Sequence, residues 1–295
     1  MQPAERAGIL AAVASSAFGG MAAAVTRFVI GAADPVTIAV FRFGLGFLFL
    51  LPVALALRSR WPRGRDWPAV AALGVMFYGV FFVVYAESLV YTTAARGSLA
   101  VSTLPVLTMI VAALMGRERL TARKTLGVFV AMGGVAIALA AGLAEAPPLA
   151  WRGDLIMLGG MLSMALYNVL SRPFMVRSSP LGYAAAGMAC GAGVNALVAW
   201  QSGGLAAVQG FGPAQWAAAL YLGVFAGALG FYLWVFALER ATPTRVANTI
   251  TVSPIAAALL GAVLVGEPIG PSLVIGVVAV GAGIWIASTE RRAAP

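Results

Sequence analysis

The first residues in this chain whose placement implies chemistry are two prolines, Pro105 and Pro254, each set in the middle of an apolar run. A proline inside a helix has no N–H to donate, so it frees the carbonyl four residues earlier, here Val101 and Ile250. Hydroxyls and amides cluster beside both: Ser98, Ser102 and Thr103 near one, Asn248, Thr249, Thr251 and Ser253 near the other. These groups either satisfy a static kink or join the freed carbonyls in a polar lining for a small solute. We adopt kink plus lining. Ser98, Ser102, Asn248 and Thr251 are then substrate-binding candidates, and Pro105 and Pro254 are hinges.

Aromatic residues supply a second candidate surface. Tyr78, Phe82 and Tyr85 recur at i, i+4 and i+7, one face of a helix, and Phe231 and Trp234 repeat the pattern later. Such a face is either a packing or interface belt or the wall of a cavity that holds apolar or planar groups by stacking. Ser15, Phe18, Ser163, Tyr167 and Asn168 form a third group, Ser163 and Tyr167 on one face, serving either as helix glue or as lining. Arg96 and Arg245 each stand nine residues before a central proline. A guanidinium at a helix start either anchors at the interface or acts as a gate attracting a substrate carboxylate. Arg42 lies well inside an apolar run and reads as structural, snorkelling outward or pairing with Glu87.

Absences narrow the chemistry. The chain has no histidine, which removes the commonest metal ligand, catalytic base and proton relay. No metal, cofactor or catalytic residue is expected, because a buried protease or metal site needs histidine or paired aspartates. Cys190 is the single cysteine, so no internal disulfide forms. Of ten carboxylates only Glu87 falls inside an apolar run, near its end. Proton-driven carriers usually place a carboxylate or histidine deep in the membrane, so downhill movement without obligatory proton coupling is expected.

These residues must be positioned by membrane helices. Of 295 residues 61% are apolar and 10% charged, and the mean hydropathy is +0.95. Soluble domains carry roughly 25% charged residues, and this chain has too few to clothe a soluble core. The net charge of +9 is spread between apolar runs rather than gathered in a patch, which argues against nucleic acid. A helix needs about 20 apolar residues to cross the hydrocarbon. Ten such segments follow: about 8–30, 36–57, 68–90, 94–115, 121–142, 153–173, 181–201, 214–238, 244–265 and 271–288. The first is long enough to span, so it reads as a retained helix rather than a cleaved signal. Asp34-Pro35, Ser179-Pro180, Pro243 and Glu267-Pro268 are among the turn signals between them.

Lys and Arg are retained on the cytoplasmic side. With the N-terminus inside, fifteen basic residues fall in the cytoplasm, three (Arg27, Arg96, Arg152) fall outside, and Arg42 is embedded. Both termini are therefore expected in the cytoplasm.

The chain also resembles itself. Residues 67–139 shifted by 149 fall on 216–288 without a gap, matching Trp67 with Trp216, Phe82 with Phe231, Arg96 with Arg245, Pro105 with Pro254 and Glu118 with Glu267. Ahead of this block a shift of 145 matches Gly8 with Gly153 and Pro35 with Pro180. The fold expected is an all-α integral membrane protein of ten transmembrane helices in two inverted five-helix repeats, 1–145 and 150–290, because an odd number of spans turns the second copy over. A stripe of Gly127, Gly134 and Ala138, repeated as Gly276, Gly283 and Ala287, reads as helix-packing scaffold.

Gly-Arg-Glu-Arg-Leu at 116–120 and Gly-Glu-Pro-Ile at 266–269 each follow a proline-centred helix, and Phe-Arg-Phe stands at 41–43. In order and doubling these motifs resemble the EamA domains of the drug/metabolite transporter superfamily across nearly the whole chain. Length and aromatic pattern are similar to the YddG-type amino-acid exporters, although Ser-Ser-Ala-Phe-Gly-Gly at 15–20 lacks the tryptophan often found there. The resemblance implies a membrane exporter of amino acids, including aromatic, methionine-like or threonine-like ones, working by alternating access. The alternative is an exporter of drugs, organic cations or other small metabolites. A small-molecule substrate and the bilayer are the expected partners, with the monomer the favoured state.

Overall fold

The computed structural model describes residues 3–29, 32–92, 94–138, 148–256 and 271–288, apart from a few side chains within the helices. Among these residues the chain is all helical, with no strand. Helices are the form in which an apolar segment satisfies its own backbone polar groups without water. Helix α1 is Pro3–Val29, and α2 is Pro35–Ala56. Helix α3 combines Trp67–Gly74, Val75–Phe81 and Phe82–Tyr91, and α4 joins Ala94–Val101 to Leu104–Leu114. Helix α5 is Ala122–Ala138, α6 is Ala150–Leu170, α7 is Pro180–Gln201 and α8 is Pro213–Arg240. Helix α9 starts as Pro243–Asn248, tightens at Thr249–Thr251 and is described to residue 256; α10 is Pro271–Ser288. Five helical runs are long and apolar enough to cross a membrane, namely those that include α2, α3, α6, α7 and α8, and shorter apolar helices lie at Leu99–Leu114 and Val274–Ala287.

Local chemistry fixes several helix starts. Asp34 Oδ1 accepts the N–H groups of Val36 and Thr37 at 2.9 and 3.1 Å, ahead of Pro35 at the first turn of α2. At α7 Ser179 Oγ accepts from Gly182 N at 3.1 Å, ahead of Pro180. Both are side-chain caps on the orphan N–H groups of a helix start. Three helices widen into π turns, Phe41–Leu45 in α2, Val75–Phe81 in α3 and Leu222–Leu229 in α8. The turns of α3 and α8 overlap under the 149-residue shift.

The surface is apolar where a soluble protein would be polar. Leu114, Trp200, Val278, Val90 and Trp285 are among the exposed large hydrophobics, while Arg42, Asn168, Asn195, Arg245 and Asn248 are buried. That distribution suits lipid outside and polar contacts between helices.

Helices from the two halves meet crosswise. The pairs α1 with α8, α6 with α3, α2 with α8, α7 with α3 and α5 with α10 all pack together. The close approaches are reciprocal. A Cβ on Gly127 would stand 2.5 Å from Ala287 N, and one on Gly276 would stand 2.5 Å from Ala138 Cβ; the two contacts exchange under the shift. Likewise a Cβ on Gly227 would meet Arg42 O at 2.2 Å, and one on Gly187 would meet the Tyr78 ring at 3.0 Å. Only glycine lets these backbones come so near.

Candidate functional site

The crosswise helices enclose a void of about 100 Å3. Its wall draws on α1 (Ser15, Ser16, Gly19, Gly20), α2 (Arg42), α3 (Phe81, Phe82, Tyr85), α4 (Val101), α6 (Met161, Met164), α8 (Ala226, Gly230, Phe231, Trp234) and α9 (Ile250, Ser253, Pro254). Twelve of these eighteen residues form six pairs under the two sequence shifts. The pairs are Ser16 with Met161, Gly19 with Met164, Phe81 with Gly230, Phe82 with Phe231, Tyr85 with Trp234 and Val101 with Ile250.

One side of the wall is polar. Ser15 Oγ donates to Gly230 O at 2.7 Å, and Ser253 Oγ donates to Ser16 O at 2.6 Å. Ser16 Oγ and Thr249 Oγ1 share a hydrogen bond at 3.1 Å. Helices α1 and α9 touch here, because a Cβ on Gly20 would fall 2.1 Å from Ser253 O.

Another stretch of the wall is aromatic and carries a charge. The Arg42 guanidinium lies 4.5 Å from the centroid of Phe82 and 5.7 Å from those of Phe43 and Phe231. It is 8% exposed, and its Nε has no hydrogen-bond partner. Among the described residues no carboxylate pairs with it; Glu87 is exposed. The expected snorkelling or pairing with Glu87 therefore gives way to an inward cation held by rings. The π turn of α2 rests against the glycines of α8, which keeps this stretch of helix against the void.

Behind the wall lies a second layer. Trp234 Nε1 donates to Asn168 Oδ1 at 2.9 Å, and Asn168 Nδ2 is buried without a partner. The Tyr78 and Tyr167 hydroxyls share a hydrogen bond at 3.1 Å, and the Tyr167 ring stacks on Phe77 at 4.1 Å. Asn195 Nδ2 donates to Tyr78 O at 3.1 Å.

Helices α4 and α9 are interrupted just before their prolines. Thr103 Oγ1 donates to Ala100 O at 2.6 Å, Thr249 Oγ1 to Val246 O at 2.8 Å and Thr251 Oγ1 to Asn248 O at 2.7 Å. Hydroxyls thus take up carbonyls around each break, and Val101 and Ile250, whose carbonyls the prolines free, face the void.

The sequence candidates divide by place. Ser15, Phe82, Tyr85, Phe231, Trp234 and Pro254 line the void. Tyr78, Tyr167 and Asn168 form the layer behind it. Phe18 packs beside Phe225, ring centroids 6.2 Å apart, and Ser163 is half-buried away from the lining. Ser102, Asn248, Thr251 and Pro105 are buried at the helix breaks, with Asn248 Nδ2 donating to Gly283 O at 3.4 Å. Arg245 forms an ion pair with Glu5 of α1 and donates through Nε to Ala287 O at 3.2 Å. The side chains of Arg96 and Ser98 lie outside the described residues. Arg42, Phe81, Met161 and Met164 line the void without having been site candidates; the charge of Arg42 inside an apolar run was the one sequence signal for any of them.

Ion pairs and caps tie helices together at one end of the molecule, beside a second pocket lined by Arg117, Arg172, Arg177 and Pro243. Glu118 Oε1 accepts the Thr244 N–H at 3.0 Å, and its Oε2 takes Lys124 Nζ at 2.9 Å. Arg177 grips Asp66 through two bonds, 3.0 and 2.9 Å. At the other end Thr92 Oγ1 donates to Asp154 Oδ1 at 2.8 Å.

Residues 6–140 and 151–289 each match the EamA-like transporter family. An uncharacterized protein of Pseudomonas aeruginosa is 33% identical over 262 residues, 88% of this chain and 86% of its own. A probable terminal-alkyne amino-acid exporter of Streptantibioticus cattleyicolor is 30% identical over 241 residues, 79% and 78% of the two chains. An uncharacterized transporter of Archaeoglobus fulgidus is 25% identical, covering 93% and 96%. A solved crystal structure, described only as that of a protein, superposes with a TM-score of 0.80 at 21% identity, covering 98% of this chain and 99% of its own; at that identity the likeness concerns the fold. Two family matches that together span nearly the whole chain, on an all-helical body with an apolar exterior, lead to one conclusion: this protein belongs to the EamA-like transporter family of multi-pass membrane proteins.

Proposed function

We propose that the protein exports amino acids across the bacterial inner membrane by alternating access. One observation carries the reading: six repeat-equivalent pairs from the two halves supply two thirds of the wall of one void. Ten spans arranged as two inverted five-helix units account for it. The reciprocal approaches of Gly127 to Ala287 and of Gly276 to Ala138 support an in-plane pseudo-two-fold axis. Rocking about that axis exchanges nearly equivalent states, open to one side and then the other. The basic-residue bias supports cytoplasmic placement of both termini. The Glu118, Arg245 and Arg177 contacts then lie on the cytoplasmic side and form the inner gate of this reading.

The substrate class rests on the void and on a relative. Aromatic rings, two methionines and serine hydroxyls suit a solute with an apolar body and a polar head, and the Streptantibioticus relative carries the description of an amino-acid exporter. Among the described residues the wall holds no carboxylate, which disfavours organic cations. Among the described residues it also lacks the deep carboxylate or histidine usual in proton-driven carriers, which supports downhill movement.

Counterflow of labelled phenylalanine, methionine and threonine into proteoliposomes tests the proposal. Accumulation driven by unlabelled internal amino acid, unchanged by a protonophore, is expected. No counterflow of any of the three overturns the amino-acid reading, and abolition by the protonophore overturns downhill movement.

A further inference from the structure

A guanidinium taken out of water and left without a counter-ion is costly, and proteins normally pair it with a carboxylate. Arg42 departs from that rule. It is nine-tenths buried, it lines the void, and three phenylalanine rings stand where an acid would be expected. Ring faces attract the cation but accept its N–H groups poorly. The arginine is therefore held in place while its directional hydrogen-bonding capacity stays largely unused.

The repeat shows that this charge is no part of the doubled scaffold. Arg42 corresponds to Gly187, and the packing of Arg42 O on Gly227 corresponds to the packing of Gly187 on Tyr78. One half thus supplies a cation, and the other supplies nothing charged at the matching place.

The serines of the same wall are specialised in the opposite sense. Ser15 and Ser253 have both committed their hydroxyl protons to backbone carbonyls, of Gly230 and Ser16. A hydroxyl whose proton is committed presents only lone pairs to whatever occupies the void. Those oxygens accept from an ammonium group and repel a carboxylate.

We infer that Arg42, in its cage of Phe43, Phe82 and Phe231, is the carboxylate-binding subsite of the void, with Ser15 and Ser253 accepting from the ammonium of the same zwitterionic substrate. This deepens the amino-acid reading and rests on it. The substrate carboxylate supplies the counter-ion that the described residues leave out, so a solute without a free carboxylate leaves the guanidinium uncompensated.

Four probes separate the charges on one body: L-phenylalanine, its methyl ester, 3-phenylpropionate and phenethylamine. Thermal stabilisation of the purified protein in detergent measures binding of each. The wild type is expected to bind phenylalanine at least tenfold more tightly than the ester or phenethylamine, with phenylpropionate in between. Arg42→Gln is expected to erase the preference for acid over ester, and Arg42→Lys to keep part of it. Equal binding of acid and ester by the wild type overturns the inference and needs no variant, as does an Arg42→Gln protein with unchanged acid preference. Absence of stabilisation by all four also overturns it. Parallel counterflow keeps the two readings apart. Flux without acid selectivity removes the Arg42 subsite and leaves the exporter; acid-selective binding without flux does the reverse.

Discussion

Trp234 donates its indole N–H to Asn168 Oδ1 across 2.9 Å, joining α8 to α6 at the edge of the void. Both residues are buried, so neither partner has water to fall back on. We expect Asn168→Ala to strand the indole N–H and destabilise the protein by about 1–3 kcal/mol. Trp234→Ala, which also opens a cavity, should cost about 3–5 kcal/mol. The double variant should fall short of the sum, because the pair interacts. Unfolding in detergent gives these values, and strict additivity would mean that the bond does not hold the wall. Trp234→Phe keeps the ring and loses the bond; counterflow of phenylalanine should then persist at reduced rate.

Glu118 is the keystone of the gate assigned to the cytoplasmic side. Its side chain is 4% exposed, one oxygen capping the start of α9 at Thr244 and the other holding Lys124. Removing such a cap costs roughly 0.5–2 kcal/mol. A gate held by so few bonds should shift its population by about that amount. We expect Glu118→Ala to speed thiol labelling at Val169→Cys, a buried site beside Arg172 and Pro243, in a Cys190→Ser background. Glu118→Gln, which retains an acceptor for Thr244 N, should lie in between. Equal labelling in all three proteins would remove Glu118 from the gate.

The α5–α10 contact admits no side chain at its crossing. A Cβ on Gly127 would stand 2.5 Å from Ala287 N and 2.7 Å from Gly283 O, both backbone atoms that cannot swing aside. Gly133 lies on the same helix with nothing within 4 Å of its Cβ position. Gly127→Leu should therefore lower the melting temperature sharply or abolish folding, and Gly133→Leu should leave it nearly unchanged. Size-exclusion profiles and thermal melts of the two proteins decide the matter. Equal behaviour would refute the packing described.

Much of the helical frame was legible because apolar runs of about 20 residues and the prolines between them are local signals. The aromatic faces of α3 and α8 were legible in outline. Tyr78, Phe82 and Tyr85 share a face at 3.6 residues per turn, yet Val75–Phe81 is a π turn. The wider turn rotates the register, so Phe81 joins Phe82 at the void while Tyr78 turns to Tyr167. Nothing in the spacing announces that change of period. Arg42 illustrates a second limit. Its cage combines Phe43 beside it with Phe82 and Phe231, which are distant in sequence. An isolated arginine in an apolar run gives no sign of which side chains will surround it. Glu118 was visible as a motif residue, but its partner Thr244 stands 126 positions away.

Pro254 lines the void, whereas its counterpart Pro105 is buried in the packing of α4. Replacing Pro254 by alanine restores an N–H able to bond Ile250 O, the carbonyl that the proline leaves free. An isolated helix gains stability from that bond, and the tight turn at Thr249–Thr251 loses its reason to form. We therefore expect Pro254→Ala to raise or maintain the melting temperature while lowering the rate of counterflow severalfold, since a straightened α9 pushes against α1 where Gly20 already lies on Ser253. Restoring the break elsewhere in the same turn, with Ile250→Pro in the Pro254→Ala background, should not rescue flux, because the freed carbonyl is then at Val246 and outside the void lining. A Pro254→Ala protein with wild-type flux would show that the break in α9 serves packing alone. A protein both unstable and inactive would mean that the proline is needed to build the helix pair, with no separate part in the motion.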